Sequence, residues 1–181
     1  MDGYKEKEII TLGSGCFWCT EAVYKETRGI EDVISGYMGG RIKNPSYKEI
    51  CSGNTGHAEV VQLTFNPKFI TLQKVLEIFW ITHDPTTINR QGHDIGTQYR
   101  SVIFYHTTIQ KEIAEYLKQE IQTLEVYDSP VITEITKASE FYKAESYHQN
   151  YYKFNGDQPY CQYVIKPKLD KFRDIFNDFI N

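Results

Sequence analysis

The chain has 181 residues, with 20 Lys and Arg against 24 Asp and Glu and a formal net charge of −4. At 40% hydrophobic and 24% charged residues it has the composition of a globular domain, not of a disordered chain. No stretch approaches the roughly 18 apolar residues of a membrane span, and the mild acidity gives no electrostatic reason to bind nucleic acid or an anionic membrane. Residues 1–10 carry Asp2, Lys5, Glu6, Lys7 and Glu8 where a secretory signal would be apolar, so a cytoplasmic location is expected. The length suits one domain over residues 1–181.

Residues 9–12 read as a short buried strand that runs into Gly13-Ser14-Gly15. From Cys16 to about Thr27 the spacing is helical, with Phe17, Ala22 and Val23 inward, and Arg28-Gly29 stops it. A strand is expected over 33–38, a turn at Asn44-Pro45-Ser46 and a short helix over 47–51. Residues 58–65 alternate, Val61, Leu63 and Phe65 against Gln62 and Thr64, as a half-buried strand does. Thr71 is placed to cap a helix whose Leu72, Val75, Leu76, Phe79 and Trp80 share one stripe.

A polar loop over 90–97 precedes a strand over 98–105. A long helix over 108–126 follows, with Ile113, Tyr116, Leu117, Glu120 and Leu124 near helical spacing, and then a strand over 131–135. Residues 141–163 are dense in aromatics, and a last helix is expected over 166–179 with Leu169, Phe172, Ile175, Phe176 and Phe179 inward. Strand–helix–strand, repeated over 9–105, is the split βαβ pattern. The expected fold is α+β, a two-layer sandwich with a ferredoxin-like split βαβ core and a loop-rich C-terminal section.

There are four cysteines, Cys16, Cys19, Cys51 and Cys161. A chain of this size does not need disulfide staples, so reduced thiols are catalytic, metal-binding or buried. Gly15-Cys16-Phe17-Trp18-Cys19 places Cys16 near a helix N-terminus, where free N–H groups favour an anion. Lowering a thiol pKa from ~8.5 by ~1.5 takes about 2 kcal/mol, the size of a helix end plus a hydrogen bond. The bland alternative is a buried apolar cysteine. Cys51, in Cys51-Ser52-Gly53, reads as such a residue.

Cys16 and Cys19 also form a Cys-x-x-Cys pair. A zinc site wants four ligands, and none of His57, His83, His93, His106 and His148 has a paired ligand spacing. A thioredoxin-like pair would hold Gly-Pro between the cysteines, where this chain has Phe17-Trp18. Large aromatics beside a thiolate suit a pocket for an apolar group.

These residues belong to a longer pattern. Gly15-Cys16-Phe17-Trp18, Pro45-Ser46-Tyr47, Gly56-His57-Ala58-Glu59-Val60, Asp94 with Gly96-Thr97-Gln98-Tyr99-Arg100-Ser101, His148-Gln149, Tyr160-Cys161 and Val164-Ile165-Lys166-Pro167-Lys168 occur in this order. Together they resemble the A-type peptide methionine sulfoxide reductases. The resemblance implies reduction of methionine S-sulfoxide, free or in proteins, with Cys16 as the nucleophile on sulfur. It implies Phe17 and Trp18 around the S-methyl group and Glu59 as proton donor to the sulfoxide oxygen. Tyr47 and Tyr99 would hydrogen-bond that oxygen, and Asp94 would orient the substrate or a water. A sulfoxide oxygen leaves only when protonated, and a carboxyl keeps its proton at neutral pH only if burial raises its pKa. Ala58, Val60 and Val61 around Glu59 fit such burial.

The resemblance also implies a Cys16 sulfenic acid, an intramolecular disulfide and thioredoxin as reductant, with no metal or organic cofactor. Cys161 stands where the family keeps its resolving thiol. Cys19, where many relatives have a small residue, is the other candidate. A relay in which Cys161 resolves and Cys19 then exchanges joins the two. Two competing readings are a general thiol–disulfide oxidoreductase on Cys16-Cys19, independent of Glu59, and a binding module without turnover.

Overall fold

The computed structural model describes residues 7–181; residues 1–6, part of the stretch read above for a signal, lie outside it. Strand β1 (Glu8–Ser14) enters helix α1 (Phe17–Lys25), which returns through β2 (Ile30–Met38). A short helix α2 (Tyr47–Cys51) leads into β3 (Ala58–Phe65) and α3 (Leu72–Ile81). A two-strand ribbon, β4 (Arg90–Gln91) with β5 (Asp94–Ile95), precedes β6 (Ser101–Tyr105) and α4 (Thr108–Thr123). The C-terminal section holds β7 (Glu134–Lys137), β8 (Tyr142–Lys143), α5 (Tyr151–Asn155), a single π turn (Cys161–Ile165) and α6 (Lys166–Ile175).

The main sheet runs β7-β6-β1-β3-β2-β8. β3 lies between β1 and β2 and is antiparallel to both, and β6 is antiparallel to β1 on its far side. That is the split βαβ core expected from the sequence. β7 extends it parallel to β6 across the α4 crossover, and β8 adds an antiparallel edge to β2.

Alternation divides the two faces. Ile10, Leu12, Val61, Leu63, Phe65 and Ile103 point into the large core, with Phe17, Val23 and Tyr24 of α1 and Val75, Leu76, Phe79 and Trp80 of α3. The opposite face carries a smaller cluster of Met38, Ala58, Val60, Val102 and Phe104. Glu59 has the parity of Val61, so its side chain belongs to the large-core side. Leu169 and Phe172 of α6 complete that core. The chain end is fastened to the end of α1, with Arg173 donating to both carboxylate oxygens of Glu26 at 2.8 and 2.6 Å.

Several boundaries differ from the sequence reading. Glu125, at φ 50°, turns left-handed and stops α4 at Thr123. Ile113, Leu117 and Ile121 pack on the core, whereas Tyr116 and Leu124 are exposed. The strand expected over 98–105 begins at Ser101, because Thr97–Tyr99 forms a 3-10 turn. The strand expected over 131–135 is displaced to Glu134–Lys137. Thr133 is consumed instead by a buried network, its Oγ1 accepting from Trp80 Nε1 at 2.9 Å and bonding Ser101 Oγ at 2.8 Å. The last helix ends at Ile175, which is exposed. Among the described residues no helix is long and apolar enough to cross a membrane.

Candidate active site

Cys16 is the N-cap of α1, in extended conformation at φ −57° and ψ 125°. Gly15 makes the turn possible: its φ is +93°, and a Cβ there would stand 2.6 Å from Gln91 Cγ. Such a backbone conformation is open to glycine at no steric cost. Cys16 is 8% exposed and Cys19, three residues on, is 2% exposed. The two thiols are near enough to shift one another's ionisation. A pair three apart inside a helix has Cβ atoms ~5–6 Å apart.

Glu59 is 1% exposed. Its Oε1 accepts the N–H of Phe17 at 3.2 Å, so the carboxyl, from 42 residues away, occupies the first amide of α1. Burial raises its pKa to about 8, against the Phe17 hydrogen bond, and the nearby Asp94 charge adds to the rise. The carboxyl is therefore predominantly protonated at neutral pH.

The thiol behaves differently from the sequence expectation. Burial and the neighbouring Cys19 thiol hold Cys16 well above the usual thiol range. The helix end that was to stabilise its thiolate is given to Glu59, and Cys16 makes no cap hydrogen bond. Cys19 is the more readily ionised member, lowered to about 7 by the neighbouring Cys16 thiol despite its burial.

Around this pair stands an aromatic cluster. Trp18 lies flat on Tyr151, with centroids 3.7 Å apart and 5° between planes, and its Nε1 donates to His148 Nδ1 at 3.0 Å. His148 is fully buried, with ring centroids 5.1 Å from Phe17 and 4.3 Å from Tyr47. Its Nδ1 accepts, and burial lowers its pKa, so the ring is neutral with the proton on Nε2. Tyr47 opens α2, whose N-cap Ser46 forms a capping box with Glu49. Tyr99 closes the 3-10 turn after the ribbon. Burial keeps both phenols protonated far above their usual range. Asp94 on β5 accepts from Tyr160 Oη at 2.7 Å, and that hydroxyl also lies 3.6 Å from Cys19 Sγ.

Cys16, Cys19, Glu59, Tyr47, Tyr99, Asp94, Phe17 and Trp18 thus gather at one end of α1. Cys161 is fully buried within electrostatic reach of Cys19. Cys51 is a correction: it is exposed at the end of α2, and its thiol hydrogen-bonds Tyr47. Its short helix turns it outward, where the Cys51-Ser52-Gly53 context suggested a buried residue. His148, Tyr151 and Tyr160 are the contributors that motif reading left without roles. His148 and Tyr160 were marked by the His148-Gln149 and Tyr160-Cys161 motifs without a role, and Tyr151 only by the aromatic density of 141–163. Among the described residues no cluster of three or more His, Cys, Asp or Glu could hold a metal.

The family model for peptide methionine sulfoxide reductase matches residues 8–179. The chain belongs to that family. A curated member from Leptospira borgpetersenii, the peptide methionine sulfoxide reductase MsrA, is 57% identical over 166 residues, 91% of this chain and 93% of the relative. The reduced crystal structure of Mxr1 from Saccharomyces cerevisiae superposes with a TM-score of 0.80 at 38% identity, covering 87% of this chain and 91% of Mxr1. Mxr1 in complex with Trx2 matches with a TM-score of 0.57 at 29% identity, over 82% of this chain and 86% of that chain. In this member of the family a protonated carboxyl, two phenols and a thiol stand together beside an aromatic cluster.

Proposed function

We propose that this protein reduces methionine S-sulfoxide, free or in proteins, to methionine, and that thioredoxin restores it. The observation that carries the reading is Glu59: a buried, protonated carboxyl fixed on the Phe17 amide beside the Cys16 thiol. The Cys16 sulfur attacks the sulfoxide sulfur as its proton passes to Cys19. Glu59 gives its proton to the oxygen, and Tyr47 and Tyr99 donate hydrogen bonds to the charge developing there. Removing one such donor typically costs about 10²–10³ in rate. The bond from the sulfoxide sulfur to oxygen breaks as the oxygen passes to the Cys16 sulfur, and methionine leaves with the electron pair on its sulfur. The proton that came from Cys16 returns from Cys19 to Glu59, and Cys16 is left as a sulfenic acid, a reversible oxidation state of cysteine. Phe17 and Trp18 hold the S-methyl group, with Trp18 fixed by His148 and Tyr151. Asp94 orients the substrate or a water and is itself held by Tyr160. A second thiol condenses with the sulfenic acid, and thioredoxin reduces the disulfide.

The test is reduction of the separated S and R epimers of a blocked methionine sulfoxide, with dithiothreitol, by the wild type and Cys16→Ser. Turnover of the S epimer alone, lost in the variant, is expected. No turnover of either epimer by folded, reduced protein would overturn the proposal. Insulin reduction unaffected by Glu59→Gln would instead favour the general disulfide oxidoreductase.

A further inference from the structure

We infer that the disulfide relay runs from Cys16 to Cys19 and then to Cys161, so that Cys19 resolves the sulfenic acid and Cys161 carries the disulfide to the external reductant. The inference rests on the sulfoxide-reductase reading and decides between the two candidate thiols left open by the sequence.

The first step follows from placement. Cys16 at the N-cap and Cys19 in the first turn are one turn apart, and the Cys19 N–H donates to the Cys16 carbonyl at 3.1 Å. A turn closed by that hydrogen bond keeps the two Cα atoms within the range that a disulfide spans. Cys161 has an obstacle. The hydroxyl of Tyr160, the residue before it, lies 3.6 Å from Cys19 Sγ and donates to Asp94 at 2.7 Å. Tyr160 must move before Cys161 can reach either sulfur of the pair, whereas Cys19 needs no such movement to reach Cys16.

The second step follows from where the sulfurs can go. α1 is buried along Phe17, Cys19, Thr20, Glu21, Ala22, Val23 and Tyr24, so it cannot open without breaking the core. A Cys16–Cys19 disulfide is therefore closed to a protein-sized dithiol. Cys161 begins the π turn Cys161–Ile165, in which Gln162 and Tyr163 are already exposed. Pro167 has no N–H to offer the Tyr163 carbonyl, a local cause for the widened turn. Opening this one turn exposes Cys161 and leaves the sheet intact.

The chemistry balances. Cys16–SOH and Cys19–SH give the Cys16–Cys19 disulfide and one water. The Cys161 thiolate then attacks the Cys19 sulfur, the Cys16–Cys19 bond breaks, and Cys16 leaves as a thiolate that takes up a proton. The Cys19–Cys161 disulfide is finally reduced by the thioredoxin dithiol, which becomes a disulfide itself.

The experiment is rapid quenching of reduced wild type with excess methionine S-sulfoxide and no reductant, with alkylation, peptide mapping of disulfides and counting of methionine. The Cys16–Cys19 disulfide is expected first and Cys19–Cys161 later. In Cys19→Ser a Cys16 sulfenic acid trapped by dimedone should persist on the order of tenfold longer or more. In Cys161→Ser the disulfide should stop at Cys16–Cys19, and thioredoxin should reduce it on the order of tenfold more slowly or worse. A Cys16–Cys161 disulfide that precedes Cys16–Cys19 in the wild type, or sulfenic acid lost at the wild-type rate in Cys19→Ser, would overturn the relay. Because the wild-type order decides it, poor folding of a variant does not. Absence of methionine from the wild type would overturn the parent reading, and the relay with it.

Discussion

Replacing Glu59 by Gln separates chemistry from stability at one position. Gln keeps the volume and the Oε1 acceptor for the Phe17 N–H, but it has neither proton to give nor charge to bury. The folded carboxyl titrates at about 8, above its ordinary 4.5. A raised folded pKa means that the native state holds its proton more tightly than the unfolded chain. The associated stability is complete below about 4.5, is lost as pH rises to about 8, and stays lost above it. At ~1.4 kcal/mol per pH unit, the interval sets a ceiling of about 5 kcal/mol, and relaxation and water entry bring an effect of about 2–4 kcal/mol into reach. Urea unfolding of reduced wild type and Glu59→Gln at pH 5, 7 and 9 measures it. The variant should gain on the wild type steadily across that range, while turnover near neutral pH falls on the order of 10²–10⁴. Parallel stability curves would show that Glu59 titrates as if exposed, and the argument for a buried acid would fail. Near-normal turnover would remove Glu59 from its role.

Three further outcomes are expected. The wild-type kcat/KM should descend above about pH 8 as Glu59 loses its proton, and that descent should be absent from the residual activity of Glu59→Gln; an unchanged descent would assign it to another group. Trp18→Phe loses the N–H to His148 and part of the stack on Tyr151, which should raise KM on the order of tenfold, the size of one buried hydrogen bond; a fall in kcat with KM constant would place Trp18 in the chemical step instead. Gly15→Ala forces a Cβ to 2.6 Å from Gln91 at φ +93° and should destabilise by about 1–3 kcal/mol, read by urea midpoint; no loss would mean that the turn relaxes freely.

The core order was legible because it rests on local periodicity. Leu72, Val75, Leu76, Phe79 and Trp80 declare a helix face, Val61, Leu63 and Phe65 a strand face, and both are buried as their spacing requires. The boundaries that moved are set by distant partners. Thr133 left strand geometry for Trp80 and Ser101, neither of which a window around residue 133 contains. Glu125 has no glycine to announce its left-handed turn.

The site divides along the same line. The Gly15-Cys16 turn is a local event, and the sequence exposes it. The state of Cys16 is not local, because the amide expected to favour its thiolate is taken by Glu59, 42 residues further on. One helix end thus serves the acid instead of the nucleophile. A carboxyl on that amide is fixed within the reaction zone yet keeps its proton, because burial outweighs the hydrogen bond. The nucleophile is left to depend on Cys19. In the proposed cycle the cysteine that departs from the common family pattern is thereby drawn into both halves, as proton acceptor when Cys16 attacks and as the thiol one turn away once Cys16 is oxidised.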